Sequence, residues 1–333
     1  MMHSGSQPGC VQGHKKNRPR CVSTVTLNPA IDIILFIDEF KRDVTARIRE
    51  KTECLGGKGA HISVNLSLLG EPNQAFGILF GETGRRIESL VSEAGVIPRF
   101  VHGEGGPGKD SRTNYVIMEQ SGSATIISEH GVDLTDSEIE SVLDALRAHT
   151  GEGDILVFSG DVSNVKDPYI YSHFIEATRP LNVRAFVDAS GPALKRALES
   201  APFLIKPNRD ELAEVTGIDI KSEPDALRAI RALERYGIEN IALSLGAEGS
   251  IVRFGDGQTL RAIPPEVPVR NQAGCGDAFL AGLALGFSRG WEAERMLRLA
   301  TAVSAATAAS PLTVGFDKEY ADLLLEQVQI TAL

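Results

Sequence analysis

Residues 271–282 read Asn271-Gln272-Ala273-Gly274-Cys275-Gly276-Asp277-Ala278-Phe279-Leu280-Ala281-Gly282. The backbone N–H groups of such a glycine-rich turn, together with the positive end of the helix that follows, form a cradle for an anion. Asp277 stands at the start of that helix, where its carboxylate can accept a proton from a hydroxyl group during phosphoryl transfer. The segment therefore predicts a phosphoryl-transfer site, although by itself it also fits an ordinary turn with a helix cap.

This segment resembles the second signature of the ribokinase-like, or PfkB, sugar kinases, which runs approximately Asn-Thr-x-Gly-Ala-Gly-Asp-x-Phe-x-Ala-Gly. Gln272 stands in place of the threonine and Cys275 in place of the alanine. Neither change removes a backbone donor. The resemblance implies that Asp277 is the catalytic base. It also implies an anion hole formed by Ala273, Gly274, Cys275 and Gly276.

A glycine pair nearer the N-terminus lies in Gly56-Gly57-Lys58-Gly59-Ala60-His61. It resembles the first signature of the family, which reads Gly-Gly-Lys-Gly-x-Asn in members that use phosphosugars. His61 replaces the asparagine that contacts the sugar in the family, and an imidazole can still donate or accept a hydrogen bond. The resemblance implies a substrate-binding role for Gly56, Gly57, Lys58 and His61.

The start of the fold, Thr26-Leu27-Asn28-Pro29-Ala30-Ile31-Asp32, resembles that of 1-phosphofructokinases and tagatose-6-phosphate kinases. By this resemblance Asp32 holds sugar hydroxyls, while a simple turn carboxylate is the alternative. Three cations are expected to neutralise a phosphate on the substrate, because arginine and lysine form charge-assisted hydrogen bonds with phosphate oxygens. They are Arg47 in a strand predicted before the glycine pair, Lys58, and Arg112 in Ser111-Arg112-Thr113.

Two further segments are expected to bind the nucleotide. Asn208 and Glu211, in Lys206-Pro207-Asn208-Arg209-Asp210-Glu211, share one face of a first helical turn, which suits water bound to Mg²⁺ but also forms a plain capping box. Ser244-Leu245-Gly246-Ala247-Glu248-Gly249 resembles the Gly-x-x-Gly nucleotide loop of the family. ATP and Mg²⁺ are therefore the expected cofactors. The predicted nucleotide-binding residues are Lys206, Asn208, Ser244, Gly246 and Gly249, and the predicted metal-binding residues are Asn208 and Glu211.

Composition excludes several classes of protein. The chain of 333 residues has a net charge of −10, so its overall field repels nucleic acid and anionic membranes. It has no apolar run of about 18 residues, which predicts that nothing spans a bilayer. The four cysteines lack the close spacings of a zinc site, and four in a chain of this length do not suggest a disulfide scaffold, which favours a reducing cytoplasm. We expect a cytoplasmic protein without nucleic-acid or membrane partners.

The domain organisation is predicted to be simple. Residues 1–20 are polar and basic and are expected to form a disordered leader, whereas residues 21–333 form one ribokinase-like kinase domain. Alternating strands and helices between residues 154 and 245 predict a mostly parallel central sheet with helices on both faces, a three-layer α/β sandwich. Two β runs at residues 22–27 and 31–37 predict a hairpin or a bent strand, and three helices are expected after residue 275.

The β-rich stretches at about residues 31–52 and 113–128 predict a small β-lid, with a hairpin turn at Ser121-Gly122-Ser123. A sheet of short strands has exposed edges and one apolar face. Related kinases bury that face against the lid of a second subunit, so we expect a homodimer formed through the lid.

The resemblance implies ATP-dependent transfer of a phosphoryl group to a hydroxyl of a ketohexose phosphate: fructose 1-phosphate, tagatose 6-phosphate or fructose 6-phosphate. A kinase of an unphosphorylated sugar or nucleoside is the first alternative, and a catalytically silent sugar-binding regulator is another. A dinucleotide-binding oxidoreductase is not favoured, because Gly-x-Gly-x-x-Gly does not follow the first strand. Ser159-Gly160-Asp161-Val162-Ser163 lacks the Pro-x-Gly turn of relatives, so we expect a different wall beside the substrate.

Overall fold

The computed structural model describes residues 20–121 and 123–333. Residues 1–19 of the predicted leader and Gly122 of the predicted hairpin turn lie outside the described residues. In chain order the helices and strands are β1 (Val22–Thr26), β2 (Ala30–Ile37), β3 (Glu50–Gly56), α1 (Lys58–Leu68), β4 (Asn73–Leu79), α2 (Gly81–Glu93), β5 (Ile97–His102), β6 (Arg112–Glu119), β7 (Ala124–Ser128), α3 (Asp136–His149), β8 (Ile155–Ser159), α4 (Ile170–Thr178), β9 (Arg184–Asp188), α5 (Gly191–Ala197), β10 (Leu204–Ile205), α6 (Arg209–Thr216), α7 (Glu223–Ala232), β11 (Asn240–Ser244), β12 (Ser250–Arg253), β13 (Thr259–Ile263), α8 (Cys275–Arg289), α9 (Ala293–Ala308), α10 (Lys318–Leu325) and β14 (Gln329–Ala332).

A ten-stranded sheet forms the centre of the molecule, with the strand order β14-β13-β12-β11-β10-β9-β8-β1-β4-β5. The seven strands from β11 to β5 in this order run parallel, and β12, β13 and β14 extend the sheet antiparallel at one edge. The mostly parallel sheet predicted from the alternating pattern is confirmed. The antiparallel extension was not predicted from the sequence.

Helices cover both faces of this sheet, as β8 illustrates. Leu156 and Phe158 pack on one face into a core shared with α3 to α7, whereas Ile155 and Val157 pack on the other face with α1, α8 and α9. A strand with apolar side chains on both faces is the pattern that a buried parallel sheet requires. The three C-terminal helices predicted from the sequence are confirmed as α8, α9 and α10.

A second, four-stranded sheet forms the lid in the order β3-β2-β6-β7. Strand β2 pairs antiparallel with β3 and parallel with β6. The predicted hairpin between residues 22–27 and 31–37 is wrong, because β1 belongs to the central sheet and β2 to the lid. Pro29 lies between them and has no N–H group to donate to a strand ladder, so the chain passes from one sheet to the other there.

The strand predicted before the glycine pair begins only at Glu50, which lies opposite Phe36 in the register of β3 with β2. Val44 and Ile48, in the segment before it, are 63% and 54% exposed. The sequence had suggested a strand for Arg47, but Arg47 lies in an exposed segment before β3.

Within the described part of the chain, no helix combines the length and the apolar character needed to cross a membrane.

Candidate active site

The carboxyl ends of parallel strands meet at one edge of the central sheet, and a buried ion-pair cluster forms there. Asp188 ends β9, and its Oδ1 lies 3.1 Å from Lys58 Nζ while its Oδ2 lies 3.3 Å from Lys206 Nζ. Burial opposes ionisation, but the charges of Lys206 and Lys58 hold the pKa of Asp188 below its usual value. The charge of Asp188 in turn raises the pKa of Lys58, against the effect of burial.

Asp188 was not predicted as a site residue. It ends the apolar run of β9, three residues before Gly191, and Lys206 follows β10, the next strand in the sheet. A carboxylate and a lysine at the carboxyl ends of consecutive strands are the signal that would have found this pair.

Asp277 lies in the first turn of α8 and is only 6% exposed. Gly274 precedes the helix with φ of 80°, and a Cβ atom at this position would lie 2.0 Å from the Thr313 carbonyl oxygen. Only glycine adopts this positive φ readily and has no Cβ atom to clash with that oxygen. No side chain caps α8, so the N–H groups of its first turn are available to an anion. A Cβ atom at Gly276 would lie 3.3 Å from Lys206 Nζ, which places the ammonium group beside this turn.

The predicted anion hole included Ala273, but its N–H group already donates to Asn271 Oδ1 at 2.8 Å. The amide of Asn271 also donates to the Leu312 carbonyl oxygen at 2.8 Å. Asn271 thus ties the turn before α8 to the segment after α9. The N–H groups of Gly274, Cys275 and Gly276 are the better candidates for the anion hole.

His61 of α1 lies between the carboxylate of Asp277, the predicted base, and that of Asp32, which was predicted to hold sugar hydroxyls. Its Nδ1 lies 2.8 Å from Asp277 Oδ2 and its Nε2 lies 3.0 Å from the Leu55 carbonyl oxygen. Asp32 Oδ2 is 3.7 Å from the same Nε2. The structure therefore brings His61, Asp32 and Asp277 together. It also engages both ring nitrogens of His61 with protein oxygens.

Asp32 is buried in β2, so the alternative interpretation as a turn carboxylate is wrong. Its Oδ1 accepts a hydrogen bond from Asn114 Nδ2 at 2.8 Å, and its Oδ2 accepts one from Thr313 Oγ1 at 3.2 Å. A Cβ atom at Gly56 would lie 2.0 Å from Asp32 Oδ1, which explains the glycine there. Asn114 and Thr313 were missed. Asn114 lies two residues after Arg112 in β6 and so on the same face of the lid, a signal that could have found it.

Arg112 is 7% exposed, and its charge is balanced within the protein. Its Nε donates to the Asn28 carbonyl oxygen at 3.0 Å and its Nη1 to Asp161 Oδ2 at 2.8 Å. Burial opposes ionisation of Asp161, but hydrogen bonds from Ser163 and the charge of Arg112 lower its pKa. Asp161, in the turn that departs from the family pattern, was also missed from the sequence.

The three predicted phosphate-binding cations are not all gathered together. Lys58 borders the turn after β8, since a Cβ atom at Gly160 would lie 3.9 Å from Lys58 Cβ, and Arg112 contacts the next residue of that turn, Asp161. Lys58 and Arg112 therefore flank the same turn. Arg47 lies in the exposed segment before β3 and forms no hydrogen bond or ion pair among the described residues.

Asn208 and Glu211 form the capping box that the sequence offered as the simpler interpretation. Glu211 N–H donates to Asn208 Oδ1 at 2.9 Å, and Asn208 N–H donates to Glu211 Oε2 at 2.8 Å, which leaves Glu211 Oε1 for a further partner. Asn208 also pairs with Ser244, the last residue of β11. Gly246 and Gly249 form the turn that follows, where Gly249 N–H donates to the Gly246 carbonyl oxygen at 3.0 Å.

Comparison with known proteins agrees with this geometry. Residues 21–317 match the model of the pfkB family carbohydrate kinases. The chain belongs to this family. The 1-phosphofructokinase of Vibrio cholerae is 32% identical over 313 residues, covering 94% of this chain and 97% of that protein. The 1-phosphofructokinase of Bacillus subtilis is 31% identical over 312 residues, covering 94% of this chain and all of that protein.

The crystal structure of Escherichia coli phosphofructokinase-2 with potassium superposes on this pfkB kinase with a TM-score of 0.85. The sequences are 22% identical, and the superposition covers 93% of this chain and 99% of that chain. At this identity the likeness concerns the fold, and it confirms the predicted ribokinase-like α/β sandwich. Family membership makes the protein an ATP-dependent sugar kinase, so the silent regulator is no longer favoured.

Two cysteines of this pfkB kinase, Cys54 and Cys275, lie close to the acidic residues of the site. Burial raises the pKa of Cys54 to about 11, and burial together with the charge of Asp277 raises the pKa of Cys275 to about 12. Both thiols are therefore neutral near pH 7. A neutral thiol at Cys275 adds no negative charge beside the phosphate cradle, which is consistent with its place in the anion hole.

Proposed function

We propose that this kinase transfers the γ-phosphoryl group of MgATP to a hydroxyl group of fructose 1-phosphate, with Asp277 as the base. The observation that carries the proposal is the buried carboxylate of Asp277 beside the uncapped first turn of α8 and the ammonium group of Lys206. The names of the relatives from V. cholerae and B. subtilis support fructose 1-phosphate over the other two ketohexose phosphates.

In the proposed reaction, Asp277 accepts the proton of the sugar hydroxyl while the sugar oxygen forms a bond to the γ-phosphorus. The bond between that phosphorus and the β–γ bridging oxygen breaks, and ADP leaves with the electron pair. The first N–H groups of α8 and Lys206 stabilise the charge on the phosphoryl oxygens. Asp32 accepts hydrogen bonds from other hydroxyls of the sugar.

The phosphate of the sugar is proposed to bind at the turn after β8, between Lys58 and Arg112. Asp161 neutralises Arg112 without substrate, and a phosphate dianion competes for the same guanidinium group. Arg47 belongs to the exposed segment before β3, and its contribution requires that this segment approach the bound phosphate.

Mg²⁺ enters with ATP as part of the substrate. Within residues 20–121 and 123–333, no group of three or more His, Cys, Asp or Glu side chains could hold a metal ion. The ion needs no such cage, because Mg²⁺ keeps several waters and commonly binds phosphates plus one carboxylate. Glu211 Oε1 can accept a hydrogen bond from such a water while Oε2 keeps its bond to Asn208.

The first test replaces the proposed base. Asp277→Asn keeps the shape of the side chain and removes proton acceptance, so kcat should fall by about 10²-fold or more while ATP and the sugar phosphate still bind. Asp225→Asn is the matched control, since Asp225 is the third residue of α7 as Asp277 is of α8. Turnover of Asp277→Asn close to that of the wild type would show that another group is the base.

The second test concerns the phosphate of the sugar. Arg112→Ala removes one charge-assisted contact, so the KM for fructose 1-phosphate should rise roughly tenfold to a hundredfold while the KM for ATP changes little. Arg147→Ala, which removes a surface arginine paired with two carboxylates, should leave both constants unchanged. Equal losses on fructose 1-phosphate and free fructose, or a wild-type preference for free fructose, would favour a kinase of unphosphorylated sugars.

The third test separates the two roles of Glu211. Glu211→Gln keeps an acceptor for Asn208 N–H and removes only the charge, so the Mg²⁺ concentration for half-maximal rate should rise several-fold. Glu138→Gln is the matched control, because Glu138 occupies the same position in the capping box of α3. If the two variants respond to Mg²⁺ alike, Glu211 acts only as a cap.

Homodimerisation through the lid is a further part of the proposal. Tyr115 and Ile127 lie opposite each other on β6 and β7 and are 39% and 51% exposed. Ile127→Lys places a charge on this apolar surface. We expect a dimer of the wild-type protein by light scattering at micromolar concentration and a monomer of the variant. Leu323→Lys, at a position 68% exposed on α10, should stay dimeric. A fully active wild-type monomer would contradict the proposed dimer.

A further inference from the structure

Both ring nitrogens of His61 face oxygens of the protein. Nδ1 lies 2.8 Å from Asp277 Oδ2 and Nε2 lies 3.0 Å from the Leu55 carbonyl oxygen. A carbonyl oxygen and an ionised carboxylate can only accept hydrogen bonds, whereas a neutral imidazole has a single N–H group. No neutral tautomer of His61 can therefore satisfy both contacts while Asp277 is ionised.

The pair of His61 and Asp277 therefore carries one more proton than an ionised carboxylate and a neutral imidazole carry together. Either His61 is an imidazolium beside the Asp277 carboxylate, or His61 is neutral and accepts from a protonated Asp277. The surroundings favour the imidazolium, because Asp32 Oδ2 lies 3.7 Å from Nε2 and adds a second negative charge. The positive charge of Lys58 also interacts with Asp277.

We propose that His61 is a positioning residue that, as an imidazolium, holds Oδ2 of Asp277 and fixes the orientation of this carboxylate. The second oxygen, Oδ1, is then left for the sugar hydroxyl. This assignment differs from the sugar contact expected from the sequence, because both nitrogens of His61 are already engaged with protein atoms. It rests on the proposed role of Asp277 as the base.

The charged and titratable groups around His61 come from several elements. Asp277 belongs to α8, Asp32 to β2 and Lys58 to α1. Lys206, after β10, lies beside Gly276. Cys54, which interacts with Asp32, and Cys275, which interacts with Asp277, have buried thiols that are neutral near pH 7. The two lysines are already paired with Asp188, so the carboxylates of Asp277 and Asp32 are the charges that His61 balances.

The direction of the pH dependence follows from these contacts. Burial by itself would lower the pKa of His61, but the hydrogen bond to Asp277 and the charges of Asp277 and Asp32 raise it above its usual value. The stabilisation that the imidazolium gives to the folded protein is therefore present at acidic pH and is lost as the pH rises through this raised pKa.

A pH profile of kcat/KM tests the proposal. His61→Asn retains a hydrogen-bond donor but removes the titrating cation, so the alkaline limb of the profile that follows loss of the His61 proton should be absent from the variant. We expect kcat to fall more than KM rises. His102→Asn is the control, because His102 Nε2 lies 3.0 Å from Glu88 Oε2 in an exposed histidine–carboxylate pair. A lower rate with an unchanged alkaline limb would mean that His61 only fills space.

A second measurement does not depend on catalysis. In the ¹⁵N spectrum of histidine-labelled protein without substrate, one imidazole should keep both nitrogens protonated at a pH where the other imidazoles are neutral, and this signal should be absent from His61→Asn. If all imidazoles lose their second proton over the same pH range, the proposal is overturned, and this holds even if the variants fail to fold. If the imidazolium is present but Asp277→Asn turns over normally, the ion pair of His61 and Asp277 is supported, and the proposed role of Asp277 as the base is wrong.

Discussion

The active site depends on one constraint, which is that charges buried in a protein must be neutralised by partners within the structure. Asp188, Asp277 and Asp32 are each no more than 6% exposed. Lys58 and Lys206 neutralise the first, and His61 lies between the other two. Lys58 and Asp188 are 130 residues apart and His61 and Asp277 are 216 apart, so the fold and the charge balance of the site are specified together.

This constraint also links the lid to the central domain. The face of the lid that carries Asp32 and Asn114 receives a hydrogen bond from Thr313, which follows α9. Thr313 also contacts Cys54 of β3, with 3.1 Å between Oγ1 and Sγ. The lid strands therefore contact the segment that lies against Gly274, at the start of α8, where Asp277 is buried. Excluding water in this way strengthens the interactions with charge that develops during phosphoryl transfer.

Features that depend on local chemistry could be predicted from the sequence. The turn before α8 required glycine at a left-handed position, and the periodicities of the strands and the C-terminal helices were sufficient to predict a parallel sheet and its covering helices. The partners of the site residues could not be predicted in the same way. His61 and Asp277 are 216 residues apart and Asp32 and Thr313 are 281 apart, so no local pattern joins them. The strand predicted over Arg47 failed for a related reason, since its apolar neighbours have no strand to pair with.

The exchange of asparagine for histidine in the first signature changes the charge balance of the site as well as its shape. An asparagine amide can donate to Asp277 without altering the net charge, so the carboxylates of Asp32 and Asp277 would then share a buried site without a cation between them. With His61 as an imidazolium, the two carboxylates are joined by a positive charge within 3.7 Å of both. The same contact holds Oδ2 of Asp277 and leaves Oδ1 for the sugar hydroxyl in the proposed reaction. The charge that develops on the phosphoryl group in that reaction then falls to the first turn of α8 and to Lys206, which lies beside it.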